Sequence, residues 1–148
     1  MRKIMKKRVR RGFTLVELLI VIIIIGVLAG MMMLSTGSAT DKAEATKIVS
    51  DLRSIKSACL LYYADNGAWP SADVNIDVVK DYIDQTPGDG YGIKVDGSKI
   101  FSTYTGTKLT EGVAAKLKDM AKDAGLKEGT ASDQDYNGGD TVGMVIRK

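Results

Sequence analysis

The chain has 148 residues, a formal net charge of +3, no histidine and a single cysteine. This composition excludes histidine-ligated zinc sites, Ser-His-Asp and Cys-His catalysis, and any intrachain disulfide. Seven of the 21 Lys and Arg residues precede Phe13, which leaves 14 against 18 Asp and Glu residues in the rest of the chain. Because the excess of positive charge is confined to the N-terminal end, it indicates membrane topology, and we expect no direct nucleic-acid partner.

Residues 13–34 form an apolar run behind this basic leader. The run has 22 residues, and Glu17 carries its only charge. At a rise of about 1.5 Å per residue it would span roughly 33 Å as a helix, close to the hydrocarbon thickness of a bilayer. The pattern predicts a membrane-spanning helix with the leader in the cytoplasm and the C-terminal part outside. Two alternatives remain open: an uncleaved anchor, and a secretory signal cut near the small residues at 37–39.

The sequence Gly-Phe-Thr-Leu-Val-Glu at positions 12–17, between the basic leader and the long apolar run, resembles the N-terminus of type IV pilins and pseudopilins. The resemblance implies that residues 1–12 are a leader cut off by a prepilin peptidase between Gly12 and Phe13, and that the new Phe13 amine is methylated. It also implies a structural, non-enzymatic subunit that a membrane assembly platform polymerises with further copies and related pilin subunits. Before assembly the subunit would lie in membrane lipid, and afterwards in a cell-surface filament.

Glu17 is the most informative single residue of the chain. A charged side chain at the centre of a membrane helix costs on the order of 2.5–3.5 kcal/mol on insertion scales, and less near the interface. Such a carboxylate needs a partner, and Phe13 lies four residues earlier on the same helix face. We expect the assembly partner to be the Phe13 amine of a neighbouring subunit. The alternative partners are the helix N-terminus and the amine of the same chain.

Other positions in this part of the sequence have ordinary interpretations. Gly26 and Gly30 are spaced as in close helix-helix contacts, although two tolerated glycines explain the pattern equally well. Many pilins carry a proline in this segment and a C-terminal disulfide, and this sequence has neither. Cys59 is interpreted as a small buried hydrophobe.

Residues 35–66 continue the helix in amphipathic form, so that one helix is predicted from Phe13 to about Asp65. Asn66 and Gly67 predict its end. The stretch 62–70 also resembles the aromatic, Asn-Gly and Pro pattern that ends this helix in pilins. Apolar residues recur at intervals of four and three and form one stripe, which consists of Ile48, Leu52, Ile55, Cys59 and Tyr62.

Residues 67–148 are predicted to form a globular domain, and the fold class is α+β, with the long helix packed on a small antiparallel sheet and one additional helix. A polar connection over 71–90 contains a short helix at 77–83. Two strands, 91–95 and 99–105, are joined by an Asp-Gly turn at 96–97. A helix follows from a Thr110 cap to Gly125, then a loop over 126–140 and a last strand over 141–146 that can join the hairpin.

The loop residues Asp133, Asp135, Asn137 and Gly138 match the first half of a calcium-binding loop. The twelfth position is Met144, which supplies no carboxylate. Some pseudopilins bind calcium in C-terminal loops. The favoured interpretation here is a solvated loop, with a calcium site as the alternative, and no other cofactor is expected.

The sequence thus predicts a structural subunit of a type IV pilus or pilus-like filament, spanning the cytoplasmic membrane once before assembly. A pseudopilin of a type II secretion or competence system is the alternative function. A single-pass anchored or secreted domain unrelated to filaments is a more distant one.

Overall fold

The computed structural model describes residues 12–71, 74–129 and 133–147, without the side chains of residues 34–36 and 74. The predicted leader, apart from Gly12, therefore lies outside the described residues. The chain divides into two compact units, of which the first ends at Gly37 and the second begins at Ser38.

Helix α1 comprises Leu15–Asn66, in agreement with the predicted helix. Its part in the second unit buries four of the five residues of the predicted apolar stripe: Ile48 is 1% exposed, and Leu52, Ile55 and Cys59 are fully buried. The fifth, Tyr62, is partly buried against the same core. Gly67 follows the last helical residue with a φ of 68°, and its N–H donates to the Tyr63 carbonyl at 2.9 Å. Such a left-handed glycine ends a helix by satisfying one of its last carbonyls.

The sheet has five antiparallel strands in the order β1-β2-β3-β5-β4. The strands are β1 (Val74–Asn75), β2 (Tyr91–Asp96), β3 (Lys99–Tyr104), β4 (Leu126–Glu128) and β5 (Val142–Arg147). The predicted hairpin is confirmed, since Asp96 pairs with Lys99 and the turn residue Gly97 has a φ of 60°. The last strand joins this hairpin through β3, as predicted.

Helix α2 comprises Glu111–Ala124 and has the predicted ends. The Thr110 side chain accepts a hydrogen bond from the Val113 N–H at 3.4 Å, and Gly125 is left-handed with a φ of 71°. Val113, Leu117 and Ala121 recur at intervals of four and are buried on one side of the helix.

The core of the second unit lies between the sheet and α1. One cluster of buried residues joins α1 and α2 to β4 and β5, and a second joins α1 to the hairpin and the short helix of the connection. Ser102 is fully buried in β3, and its hydroxyl donates to the Leu52 carbonyl of α1 at 3.1 Å. This bond ties the middle of the sheet to the helix without leaving the hydroxyl unsatisfied.

Three predictions for the second unit need correction. The interval 126–140, predicted to be all loop, contains β4 and the buried Tyr136. The connection 71–90 contains strand β1, which the sequence did not indicate. The predicted short helix is a 3₁₀ helix, Ile76–Tyr82. Strands of two or three residues are too short to show the alternation by which strands are recognised in a sequence, and their partner strands specify them.

Candidate assembly site

The N-terminus of α1 is closed by a reciprocal pair of hydrogen bonds between Thr14 and Glu17. The Thr14 N–H donates to Glu17 Oε2 at 2.8 Å, and the Glu17 N–H donates to Thr14 Oγ1 at 3.2 Å. The Thr14 hydroxyl also donates to Oε2 at 2.7 Å. This is a capping box, in which a Thr at the cap and a Glu three residues later satisfy each other's free N–H groups. Glu17 therefore has a structural partner within its own chain.

Only one oxygen of the Glu17 carboxylate is used by the cap. All three bonds involve Oε2 or the Glu17 backbone, and no donor among the described residues contacts Oε1. Phe13 precedes the cap and is 88% exposed. The predicted cleavage and methylation positions thus lie next to the capped carboxylate, at the start of the helix.

The apolar residues of α1 that follow the cap are exposed. The large hydrophobic side chains between Leu15 and Met33 have exposed fractions from 47% to 83%. An 18-residue window of this helix has a mean hydropathy of 2.9, and the helix is long and apolar enough to cross a membrane. A Cβ added at Gly26 or Gly30 would meet no atom within 4 Å, so neither glycine is required by packing among the described residues. Exposed apolar surface of this size marks a membrane or protein contact.

The second unit contains the residues of the predicted calcium loop. Asp133 accepts from Lys99 Nζ at 2.8 Å, and Asp135 accepts from Lys127 Nζ at 2.8 Å. The backbone N–H of Asn137 donates to the Glu128 carboxylate at 2.7 Å. Within the described parts of the chain, no three His, Cys, Asp or Glu side chains lie where they could share a metal ion. A calcium ion at these carboxylates would have to compete with the ammonium groups of Lys99 and Lys127.

The sequence did not indicate one polar contact between α1 and the sheet. The Tyr91 hydroxyl donates to Asp51 Oδ2 at 2.8 Å, and the Tyr91 ring packs on Tyr104 with a centroid distance of 4.5 Å. Burial and the neighbouring carboxylate raise the pKa of Tyr91 above its ordinary value. Because the two residues are forty positions apart, only the folded chain brings them together.

Cys59 is placed as predicted, as a buried hydrophobe. It is fully buried on the side of α1 that packs against the hairpin, and burial raises the pKa of its thiol to about 12. A thiol that stays protonated at neutral pH is a poor nucleophile.

Two family models match the chain. A model described as the prokaryotic N-terminal methylation motif covers residues 7–33. A second, described as the PilW C-terminal domain, covers residues 39–100. The first match includes the candidate cleavage position and the capping box, and the second begins in the amphipathic part of α1.

Several curated proteins named type II secretion system core protein G are similar to this chain. The protein from Klebsiella michiganensis is 38% identical over 69 residues, which cover 47% of this chain and 49% of that protein. The Aeromonas hydrophila protein is 35% identical over 75 residues, covering 51% and 52%. The chain thus spans about half the length of these relatives.

One solved structure resembles the fold of the chain. It is the major type IV pilin PilA1 from Clostridium difficile, with a TM-score of 0.52 and 22% sequence identity. The similarity covers 75% of this chain and 99% of that one. The match supports the arrangement of one long helix, an additional helix and an antiparallel sheet.

Proposed function

Because this chain belongs to the type IV pilin and pseudopilin family, we propose that it is a structural subunit of a type IV pilus or pilus-like filament. A membrane-embedded prepilin peptidase removes residues 1–12, and Phe13 becomes the methylated N-terminus. Before assembly the subunit lies in the cytoplasmic membrane, with its second unit on the side opposite the cytoplasm. An assembly platform then adds it to the filament.

The observation that carries this proposal is the exposed apolar half of α1. Every large hydrophobic side chain that the structure describes between Leu15 and Met33 is at least 47% exposed. Two environments remove such a surface from water: lipid, and a bundle of the same helices. A filament subunit uses both in turn, because the apolar residues leave the membrane only for an equally apolar filament core.

Glu17 is proposed to direct this transfer. The cap occupies Oε2, which leaves Oε1 available to a donor from outside the chain. After cleavage, the Phe13 amine of a neighbouring copy is such a donor, and a charged pair in a dry helix bundle is strong only at close range. Because the pair forms only when the amine and the carboxylate are in contact, it fixes the offset of neighbouring copies along the filament axis.

The proposed partners follow from this role: copies of the same chain, related pilin subunits, the prepilin peptidase and the assembly platform. We propose no catalytic activity, in keeping with relatives that are named as a secretion core protein and a pilin.

A second candidate function is that of a type II secretion pseudopilin. The specific observation in its favour is the identity of 38% over 69 residues to type II secretion system core protein G of Klebsiella michiganensis. Both functions require the same cleavage, helix and filament. They differ in phenotype: deletion of a pilus subunit removes surface fibres, whereas deletion of a pseudopilin stops the release of secreted proteins.

The direct test is mass spectrometry of the mature N-terminus, isolated from cells that carry a prepilin peptidase. We expect a chain that begins with a methylated Phe13, and we expect it in sheared filaments or in cross-linked multimers. A mature terminus near Thr40 would indicate an ordinary secreted protein. An intact leader on a chain found only as monomers would indicate a simple anchor, and either result would refute the proposal.

A further inference from the structure

A groove with an apolar floor and a basic rim runs between α1 and the edge of the sheet in the second unit. It encloses about 670 Å³, the size of a site that holds a small ligand and therefore enough for the side chains of one short helical turn. Its charged lining residues are all basic, with no Asp or Glu among them. The residues that matter here are Arg53, Lys56, Leu60, Lys127, Val145 and Ile146.

Two of the three cations in this basic groove are unpaired within the part of the chain that the structure describes. Lys127 is paired with Asp135 at 2.8 Å, but neither Arg53 nor Lys56 forms a salt bridge among the described residues. Leu60 beside them is 46% exposed. The groove thus offers two cations that form no salt bridge among the described residues, next to apolar surface.

The 3₁₀ helix Ile76–Tyr82 exposes an apolar residue beside an acidic one, and its charge is therefore opposite to that of the basic groove. With three residues per turn, residues three apart lie on one side of such a helix. Ile76 and Val79 share the buried side, whereas Val78 and Asp81 share an exposed one, with Val78 40% exposed. Asp81 forms no salt bridge within the described part of the chain.

The sequence around the 3₁₀ helix is also acidic as a whole, in contrast to the basic groove. Residues 76–90 contain four Asp residues and one Lys, a net charge of −3. We name the exposed side formed by Val78 and Asp81 the acidic ridge. No residue of this ridge lines the basic groove, so the two are separate surfaces of one molecule.

We propose that the acidic ridge of one copy docks in the basic groove of the next copy, with Val78 on the apolar floor and Asp81 against Lys56. This inference rests on the proposed filament function and names the contact between second units that the function requires. A contact between two different surfaces of identical subunits is heterologous, and heterologous contacts that do not close into a ring produce helical filaments. A second copy is the preferred occupant because the chain itself supplies the complementary charge and an exposed apolar residue on the same side of one short helix.

Charge reversal in the full-length chain tests the contact. The chain is expressed in a bacterial host with a prepilin peptidase and an assembly platform, and sheared filaments are quantified relative to the cell-associated subunit. Lys56→Glu places like charges in the contact, as does Asp81→Lys, and each is expected to lower filament yield by about tenfold or more. The double variant, Lys56→Glu with Asp81→Lys, restores opposite charges and should recover most of the yield.

A matched control separates the contact from a general charge effect. Lys118→Glu makes the same charge change at an exposed position of α2 outside the groove and should leave the yield unchanged. The inference would be overturned if the double variant gave as few filaments as the single variants. It would also be overturned if the single variants gave a normal filament yield. A loss with Lys56→Glu but not with Asp81→Lys would assign the groove to another occupant and equally overturn it. If the unaltered chain formed no filament, the proposed function itself would be refuted. If the unaltered chain forms normal filaments, a negative result with the variants refutes only the proposed contact.

Discussion

Glu17 has two roles that one substitution can separate. In the structure its carboxylate caps α1 through Thr14, and in the proposed filament it pairs with the Phe13 amine of another copy. Glu17→Gln keeps an amide oxygen that can accept the same two bonds, because Gln serves in a capping box as Glu does. It removes the negative charge. Glu17→Val removes both the acceptor and the charge.

The two roles differ in magnitude. A helix cap contributes about 1 kcal/mol, and a full charge near the helix N-terminus adds about 0.3–1 kcal/mol. Leaving one member of a buried charge pair without its partner costs about 3–5 kcal/mol. At about 1.4 kcal/mol for each factor of ten, the lost pair alone lowers assembly by roughly 100-fold or more. We therefore expect Glu17→Gln to lose nearly as much assembly as Glu17→Val.

The assay compares sheared filaments with the subunit in the membrane fraction, both measured by immunoblotting. Membrane levels should be equal for all variants, since removal of a charge does not oppose insertion of an apolar helix. Thr14→Ser retains the hydroxyl of the cap and serves as the control with near-normal filaments. Filaments of Glu17→Gln at the level of the unaltered chain would refute the pairing and leave capping as the function of the carboxylate.

Further predictions concern the second unit, measured by thermal or denaturant unfolding of the full-length chain in detergent. Tyr91→Phe removes the bond to Asp51 and should lower the free energy of unfolding by about 1–2 kcal/mol; an unchanged value would show that this bond contributes nothing. Gly143→Ala places a methyl group 2.8 Å from the Gly129 carbonyl oxygen, a backbone atom that cannot turn away as a side chain can, and should destabilise the fold by about 1–3 kcal/mol, which a normal unfolding midpoint would contradict. Because burial raises the pKa of Cys59 to about 12, stability is full below the ordinary thiol pKa of about 8.5 and falls as the pH rises above it. In Cys59→Ala the stability should begin to fall only near pH 10, where tyrosines begin to ionise. If the variant and the unaltered chain had the same dependence of stability on pH, ionisation of Cys59 would be refuted as the cause. Calcium titration should leave the unfolding midpoint unchanged; a rise would restore the ion site as a hypothesis.

The sequence was sufficient for the regular elements because each carries its own local signal. The stripe from Ile48 to Cys59 predicted which face of α1 is buried, and the Asp-Gly turn at 96–97 predicted the hairpin. Thr110 and Gly125 predicted both ends of α2. In each case the residues that determine the structure lie within one or two turns of each other, so no tertiary information is needed.

The candidate site was predicted in position but not in geometry. The carboxylate at Glu17 was expected to need a partner, and the helix N-terminus was among the candidates. The spacing of Thr14 and Glu17 is that of a capping box, and this signal was available in the sequence. That the cap uses one carboxylate oxygen and leaves the other available could only be seen in the structure.

By itself, the sequence determined the apolar helix of membrane-spanning length, the basic segment that precedes it, the class of the fold and the position of the one acidic residue in the apolar run. Those features depend on composition and on spacing along a single helix or hairpin. Tertiary structure alone decided the strands β1 and β4, the bond between Asp51 and Tyr91, the burial of Tyr136, and the placing of a basic groove and an acidic ridge on separate surfaces. Each of these joins residues far apart in the chain, and the contacts that specify them exist only after the helix and the sheet have packed together.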